Sequence, residues 1–118
     1  MFMIATMEQE ELAAIYELHA SFCRTLSDAN RLLIIHELGD SELPVGELSR
    51  RLGLTQPNVS KHLGMMREHG LVSTRRDGSN IYYRLTDARI SEAVRLLKAV
   101  QADQLERRRA LASGTAGI

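Results

Sequence analysis

The strongest constraint on the fold is a three-residue interruption between two short helical segments in the middle of the chain. In "LPVGELSRRLGL" apolar residues recur at helical spacing until the pattern breaks at Gly53. After Gly53-Leu54-Thr55 a second segment begins, where Thr55 can cap the helix and Pro57 suits its first turn. This segment is predicted to run to about His69, with an inward stripe formed by Val59, Leu63 and Met66. Two short helices joined by so brief a turn form a helix-turn-helix pattern.

The hydrophobic period changes directly after this pair of helices. "LVSTRRDGSNIYYRL" predicts two strands joined at Asp77-Gly78, a residue pair that favours tight hairpin turns. The second strand is rich in strand-forming residues, namely Ile81, Tyr82, Tyr83 and Leu85. The chain is therefore expected to be mainly α-helical with a small β-hairpin wing, which is a winged helix-turn-helix fold.

Three further helices surround this centre. One is predicted from Glu8 to Leu26, and another from Asp87, a capping residue, to roughly Ala110. Between them, "SDANRLLIIHELG" predicts a helix capped by Ser27 or Asp28 and ended by the following glycine. Its inward residues are expected to be Leu32, Leu33, Ile35 and Leu38. We expect one domain over residues 1–118, with frayed ends at about 1–7 and 111–118.

The charges are segregated along the chain although the formal net charge is zero. Residues 1–49 carry two basic and nine acidic side chains, whereas residues 50–84 carry seven basic and two acidic ones. Segregation of this kind marks residues 50–84 as a surface for an anionic partner.

The outward surface of the second helix of the pair carries short hydrogen-bonding side chains instead of the usual Glu, Lys and Ala. These candidates for contact are Gln56, Asn58, Ser60, Lys61 and His62. No acid lies between Thr55 and Arg67, and Glu or Asp would be repelled by phosphates. Gln and Asn can pair with adenine, and Lys can reach guanine or phosphate. At the hairpin, Arg75, Arg76 and Asn80 suit a minor groove or its phosphates, so double-stranded DNA is the predicted partner.

Each of these residues also has a simpler interpretation. Any one Asn, Ser or His can be a solvated surface residue, and His62 can pack at the helix–strand junction instead of touching DNA. Arg50 and Arg51 are more often plain surface charges or single phosphate contacts than residues that read bases. The specific signal is the order of helix break, acid-free polar helix and basic turn within 35 residues.

The first and last helices have apolar faces wider than one small core needs. A single recognition helix and wing has a small footprint, whereas a two-fold dimer spans DNA half-sites about 34–36 Å apart. We therefore expect a parallel-packed, isologous homodimer built through the first and last helices.

Composition restricts the other possibilities. The apolar runs are too short for a membrane span, so no membrane partner is expected, and "MFMIATMEQEE" lacks the pattern of a secretory signal. The one cysteine, Cys23, cannot form an intrachain disulfide, and the cytoplasm is the expected compartment.

The motif residues resemble the ArsR/SmtB family of winged-helix repressors. "GELSRRLGLTQPNVSKHLGMMREHGLVSTRRDGSNIYYRL" is similar to its recognition helix and wing, and "LSDANRLLIIHEL" to its second helix, within a similarity over roughly residues 12–105. The resemblance implies a homodimer that occludes a promoter until an effector loosens it. It also implies DNA contacts by Gln56, Ser60, Lys61 and the wing arginines. Pro57 departs from the pattern, because relatives often carry a hydroxyl residue there, which implies one fewer contact.

The metal sites of that family are not matched here. Its members use paired cysteines near the third helix, or Asp/His and His/Glu pairs on the last helix, but neither segment of this chain has the thiolate or imidazole ligands. We therefore expect no cofactor. His19 and Cys23 lie four residues apart on one helix face. They could form half of a site completed across a dimer, Cys23 could be a redox-active thiol, or both could fill the apolar stripe.

Two other classes of function are alternatives to a DNA-binding repressor. A winged-helix protein-interaction module would need an exposed apolar patch near the recognition helix, for which Met65 is the one candidate. An enzyme is not expected, because the chain offers no Gly-rich phosphate loop, metal-ligand cluster or nucleophile–base pair.

Overall fold

The computed structural model describes residues 2–114, with side chains from Glu8 onward. Within these residues, five helices and three strands follow in the order α1 Phe2–Leu26, α2 Ala29–Leu38, β1 Leu43–Pro44, α3 Val45–Leu52, α4 Gln56–Glu68, β2 Val72–Asp77, β3 Asn80–Leu85 and α5 Ala88–Ala112. The predicted mainly α-helical fold with a β-hairpin wing is confirmed.

Side-chain caps fix where three of the helices begin. Asp28 caps α2 by accepting hydrogen bonds from the backbone amides two and three residues further on, at 2.8 and 3.3 Å. Thr55 caps α4 by accepting from the amide of Asn58 at 3.3 Å, and Asp87 caps α5. Between α3 and α4, Gly53 has a φ of 65°, a left-handed conformation that ends α3 and turns the chain. Gly53 and Thr55, from which the helix-turn-helix was predicted, therefore end α3 and cap α4 in the structure.

The wing is a hairpin that belongs to a three-stranded antiparallel sheet in the order β1-β3-β2. β2 and β3 pair from Val72 opposite Leu85 to Asp77 opposite Asn80, around the predicted turn at Gly78. β1 pairs with the other edge of β3 and was not predicted, because its segment was assigned to the short helix. Two residues are too few to show an alternating pattern.

The core lies between α2, α3, α4 and the base of the wing. Its buried apolar members are Ile34, Ile35, Leu38, Leu43, Leu48, Val59, Leu63, Met66, Leu71, Val72 and Leu85. The prediction for α2 was wrong at Leu32 and Leu33, which are 37% and 44% exposed. Ile34 is buried instead, because the core contacts the side of α2 defined by Ile34, Ile35 and Leu38.

Most of α1 and α5 extends beyond this core. Among the described side chains of these two helices, only Phe22 and Leu26 at the C-terminal end of α1 and Ile90 and Val94 at the N-terminal end of α5 pack against it. The other large apolar side chains described on the two helices are 48–71% exposed: Leu12, Ile15, Tyr16 and Leu18 of α1, and Leu96, Leu97, Val100, Leu105 and Leu111 of α5. The radius of gyration is 18.9 Å, well above the roughly 13 Å of a compact 100-residue domain. One copy of the chain therefore leaves two long apolar helix faces uncovered.

The frayed ends of the chain stay a prediction. α1 begins at Phe2 and α5 ends at Ala112, so residues 2–7 and 111–112 are helical. Residues 115–118 lie outside the described residues. Among the described residues, no helix is both long and apolar enough to cross a membrane.

Candidate nucleic-acid interface

α4 presents most of its polar side chains away from the core. Its inward residues are Val59, His62, Leu63 and Met66. Since successive residues are about 100° apart around a helix, the outward side is centred near Pro57, Lys61 and Gly64. Gln56, Ser60 and Lys61 are exposed, and Asn58 is half-buried at the edge of this surface. In the first turn, Pro57 has no amide hydrogen and the amide of Asn58 donates to Thr55, so contacts with an anion depend on the exposed side chains.

His62 does not belong to this exposed surface, and its contact with DNA stays a prediction that its burial disfavours. Its side chain is 11% exposed, because it shares the inward side of α4 with Leu63 and Met66. Its Nε2 lies 3.9 Å from Oδ1 of Asp28, the cap of α2, and its Nδ1 has no hydrogen-bond partner among the described residues. His62 therefore joins α4 to α2, in line with the packing role that was kept open for it.

Arg75 on β2 is held by the carboxylate of Glu42, a contact that no sequence pattern predicts. Its Nε donates to Oε1 of Glu42 at 3.0 Å and its Nη2 to the same oxygen at 2.6 Å. The guanidinium also lies 4.8 Å from the ring centre of Tyr82, a cation–π contact. Hydrogen bonding to Arg75 lowers the pKa of Glu42, so the pair is charged near neutral pH. The predicted carboxylate-free surface is thus interrupted at the wing, since Glu42 comes from the acidic first third of the chain.

The other basic residues of the interface differ in whether their side chains form ion pairs. Among the described residues, Arg76 and Lys61 are exposed and have no ion pair, and Asn80 is exposed beside the turn. Arg50 and Arg51 of α3 both donate to Glu47, whose pKa Arg50 and then Arg51 lower to about 2. Lys61 and Arg76 are therefore the side chains most ready to meet a phosphate.

Gly46 of α3 leaves room for the side-chain amide of Gln56 to lie against the backbone. A Cβ at Gly46 would lie 3.4 Å from Nε2 of Gln56, so the amide lies against the backbone of α3. No sequence pattern indicates this contact, which depends on the angle between α3 and α4. The one large apolar side chain exposed on α4 is Met65, at 37%, and its sulfur lies 2.9 Å from Nη1 of Arg31. Met65 alone does not make the apolar patch that a protein-docking module needs.

His19 and Cys23 meet on the exposed face of α1. Cys23 Sγ lies 3.7 Å from His19 Nε2, and both side chains are exposed in the single chain, so Cys23 does not fill a buried stripe within one copy. No group of three or more His, Cys, Asp or Glu residues that could hold a metal occurs among the residues described. The thiol-sensing and shared-site hypotheses stay predictions.

A helix-turn-helix whose second helix is polar and free of acids from Gln56 to Arg67, followed by a basic wing, defines a winged-helix DNA-binding domain. Comparisons with known proteins agree with this class. Residues 28–74 match the family described as "Bacterial regulatory protein, arsR family". The biofilm growth-associated repressor of Xylella fastidiosa is 41% identical over 81 residues, which are 69% of this chain and 71% of that protein.

Two further relatives extend the match. The transcriptional activator HlyU of Vibrio cholerae is 37% identical over 91 residues, covering 77% of this chain and 80% of that protein. The homodimeric winged helix-turn-helix DNA-binding domain Mb0332 of Mycobacterium bovis superposes with a TM-score of 0.71 at 27% identity, covering 80% of this chain and 88% of that one.

This chain belongs to the arsR family of bacterial regulatory proteins. It is a DNA-binding transcriptional regulator and not an enzyme, and the predicted family resemblance is confirmed.

Proposed function

We propose that two copies of this chain form a homodimer through α1 and α5, bind a specific double-stranded operator in the cytoplasm, and repress transcription by occluding the promoter. The observation that carries the DNA contact is the outward side of α4. It presents exposed Gln56, Ser60 and Lys61 and lies beside a wing whose Arg76 is unpaired among the described residues.

The exposed apolar faces of α1 and α5 support the dimer. Among the described side chains of these two helices, nine large apolar ones are 48–71% exposed, and exposed apolar faces of this kind mark interaction surfaces. A two-fold axis would place the two α4 helices in successive turns of the major groove, about 34–36 Å apart. The homodimeric relative from Mycobacterium bovis has the same fold, which agrees with this arrangement.

We assign different roles to the interface residues. Lys61 and Arg76 contact phosphates, and Gln56, Asn58 and Ser60 meet base edges or the phosphates that border them. Asn80 lies at the wing tip, next to the minor groove. Arg75 contributes only after its pair with Glu42 opens, and His62 is left out because it is buried. The sign of regulation is proposed as repression, although one relative is named a repressor and another an activator.

The test is selection of bound sequences from a random DNA pool, followed by affinity measurements at several salt concentrations. The selected DNA should contain two related half-sites about one helical turn apart. Lys61→Ala and Arg76→Ala should each reduce the slope of log affinity against log salt by about 1.8, because the dimer loses one phosphate contact in each half-site. Lys98→Ala removes an equal charge from α5 and is the control, with an unchanged slope. Gln56→Ala should relax preference at one base pair of each half-site, at a cost of about 1–3 kcal/mol per half-site.

A result in which no sequence is enriched would contradict the proposal. Equal salt slopes for the wild type, Lys61→Ala and Arg76→Ala would contradict the contacts assigned to these two residues.

A further inference from the structure

Gly64 occupies the middle of the outward side of α4, and nothing within the chain explains a glycine at this place. The residue has ordinary helical φ, unlike the five glycines with positive φ. A Cβ added at Gly64 would meet no atom within 4 Å outside its own helix backbone and chain neighbours. Neither backbone conformation nor packing within one copy therefore excludes a side chain.

A glycine here also reduces the stability of the helix. In an exposed helix interior glycine is less favourable than alanine by roughly 1 kcal/mol. The helix thus lacks the stabilisation that alanine would give it at this position. A glycine without a side chain to hold a neighbour away permits the close approach of another molecule to the backbone.

The position of Gly64 identifies which part of the DNA approaches. It follows Lys61 by three residues on the same side of α4, and Glu68, one turn further on, is the first carboxylate on that side. Recognition helices contact base edges with their N-terminal residues, so the ninth residue of this helix of 13 lies toward the wall of the groove. This argument rests on the DNA contact proposed above.

We propose that Gly64 is a positioning residue that lets the backbone of α4 come into van der Waals contact with the sugar–phosphate wall of the major groove. A side chain at this position holds the whole helix away from the groove, so that Lys61 and the base-contacting residues lose their contacts together. The effect is steric and adds no charge of its own.

The experiment compares Gly64→Ala and Gly64→Leu with the wild type in thermal unfolding and in DNA affinity. Gly64→Ala should raise the melting temperature by a few degrees and weaken operator binding roughly tenfold, with a larger loss of affinity for Gly64→Leu. The salt slope should flatten and the discrimination among operator variants should weaken, since the phosphate contact of Lys61 and the base contacts of α4 are lost together. Ala102→Leu adds an equivalent apolar side chain to exposed α5 and should leave the affinity unchanged.

The outcomes separate this inference from the proposed function. If the wild type binds the selected DNA and both Gly64→Ala and Gly64→Leu bind it with undiminished affinity, the role of Gly64 is overturned and the DNA-binding proposal stays intact. A lower affinity accompanied by a lower melting temperature of Gly64→Ala also overturns it, because damage to the helix would then explain the loss. A wild type that binds no selected DNA refutes the proposed function itself.

Discussion

Substitution of Leu97 by Asp tests the proposed dimer, because this side chain lies in the middle of the uncovered face of α5. Leu97 is 63% exposed in the single chain. Full burial of a leucine contributes about 1.5–3 kcal/mol, so covering the remaining surface should contribute about 1–2 kcal/mol per copy. Because the dimer is two-fold symmetric, this contribution occurs twice and totals about 2–4 kcal/mol. That free energy corresponds to a roughly 30- to 1,000-fold change in the dimer dissociation constant.

Leu97→Asp should weaken the dimer by more than this range, because a carboxylate would also have to be buried next to its symmetry mate or another apolar side chain. Sedimentation velocity over a range of micromolar concentrations measures the shift from dimer to monomer. Leu97→Ala is the milder companion, which keeps the test informative if the charged variant does not fold. The operator affinity should fall in parallel, since two half-sites can no longer be bound by one particle.

The matched control is Ala99→Asp, which places the same carboxylate about 200° further around the exposed helix. It should leave the dimer unchanged. Equal sedimentation of the wild type and both Leu97 variants, or equal weakening by Ala99→Asp, would show that this face of α5 is not the interface.

Three further predictions concern the charges and the buried histidine. Glu42→Gln should free Arg75 and strengthen DNA binding with a steeper salt slope, whereas Asp40→Asn, in the same loop, should not steepen it. The depressed pKa of Glu47, about 2 against an ordinary 4.5, means that its ion pairs stabilise the fold above pH 4.5 and are lost as the pH falls through about 2. Thermal melts across this range should therefore be less pH-dependent in Glu47→Gln than in the wild type at low salt. His62→Leu should alter the melting temperature but leave the salt slope of DNA binding unchanged, and a flattened slope would restore His62 as a DNA contact.

The helix-turn-helix and the hairpin could be predicted because their determinants are local. Thr55, Gly53 and the Asp77-Gly78 pair each act on the few residues around them, and each occupies its predicted place. β1 could not be predicted in this way. It exists only because β3 offers an open edge, and that edge depends on the packed fold.

The candidate site was less predictable than the fold for the same reason. Helical periodicity assigned Val59 and Leu63 to the core, yet it could not tell whether His62, next to that stripe, faces inward or outward. The pairing of Arg75 with Glu42 joins residues 33 positions apart in sequence. A count of charges along the chain separates these two residues into different thirds, whereas the fold brings them into contact.

The net charge of zero is compatible with DNA binding because screening makes electrostatics local. At physiological salt, exposed charges further apart than about 8 Å are largely screened from one another. The many acids of the first third therefore matter to DNA only where the fold brings them to the interface. Glu42 is such an acid, since it contacts the wing directly, and Glu47 similarly occupies the arginines of α3. We therefore expect the strength of DNA binding by this regulator to depend on which few basic side chains remain unpaired near α4 and the wing tip, and hardly at all on the overall charge of the chain.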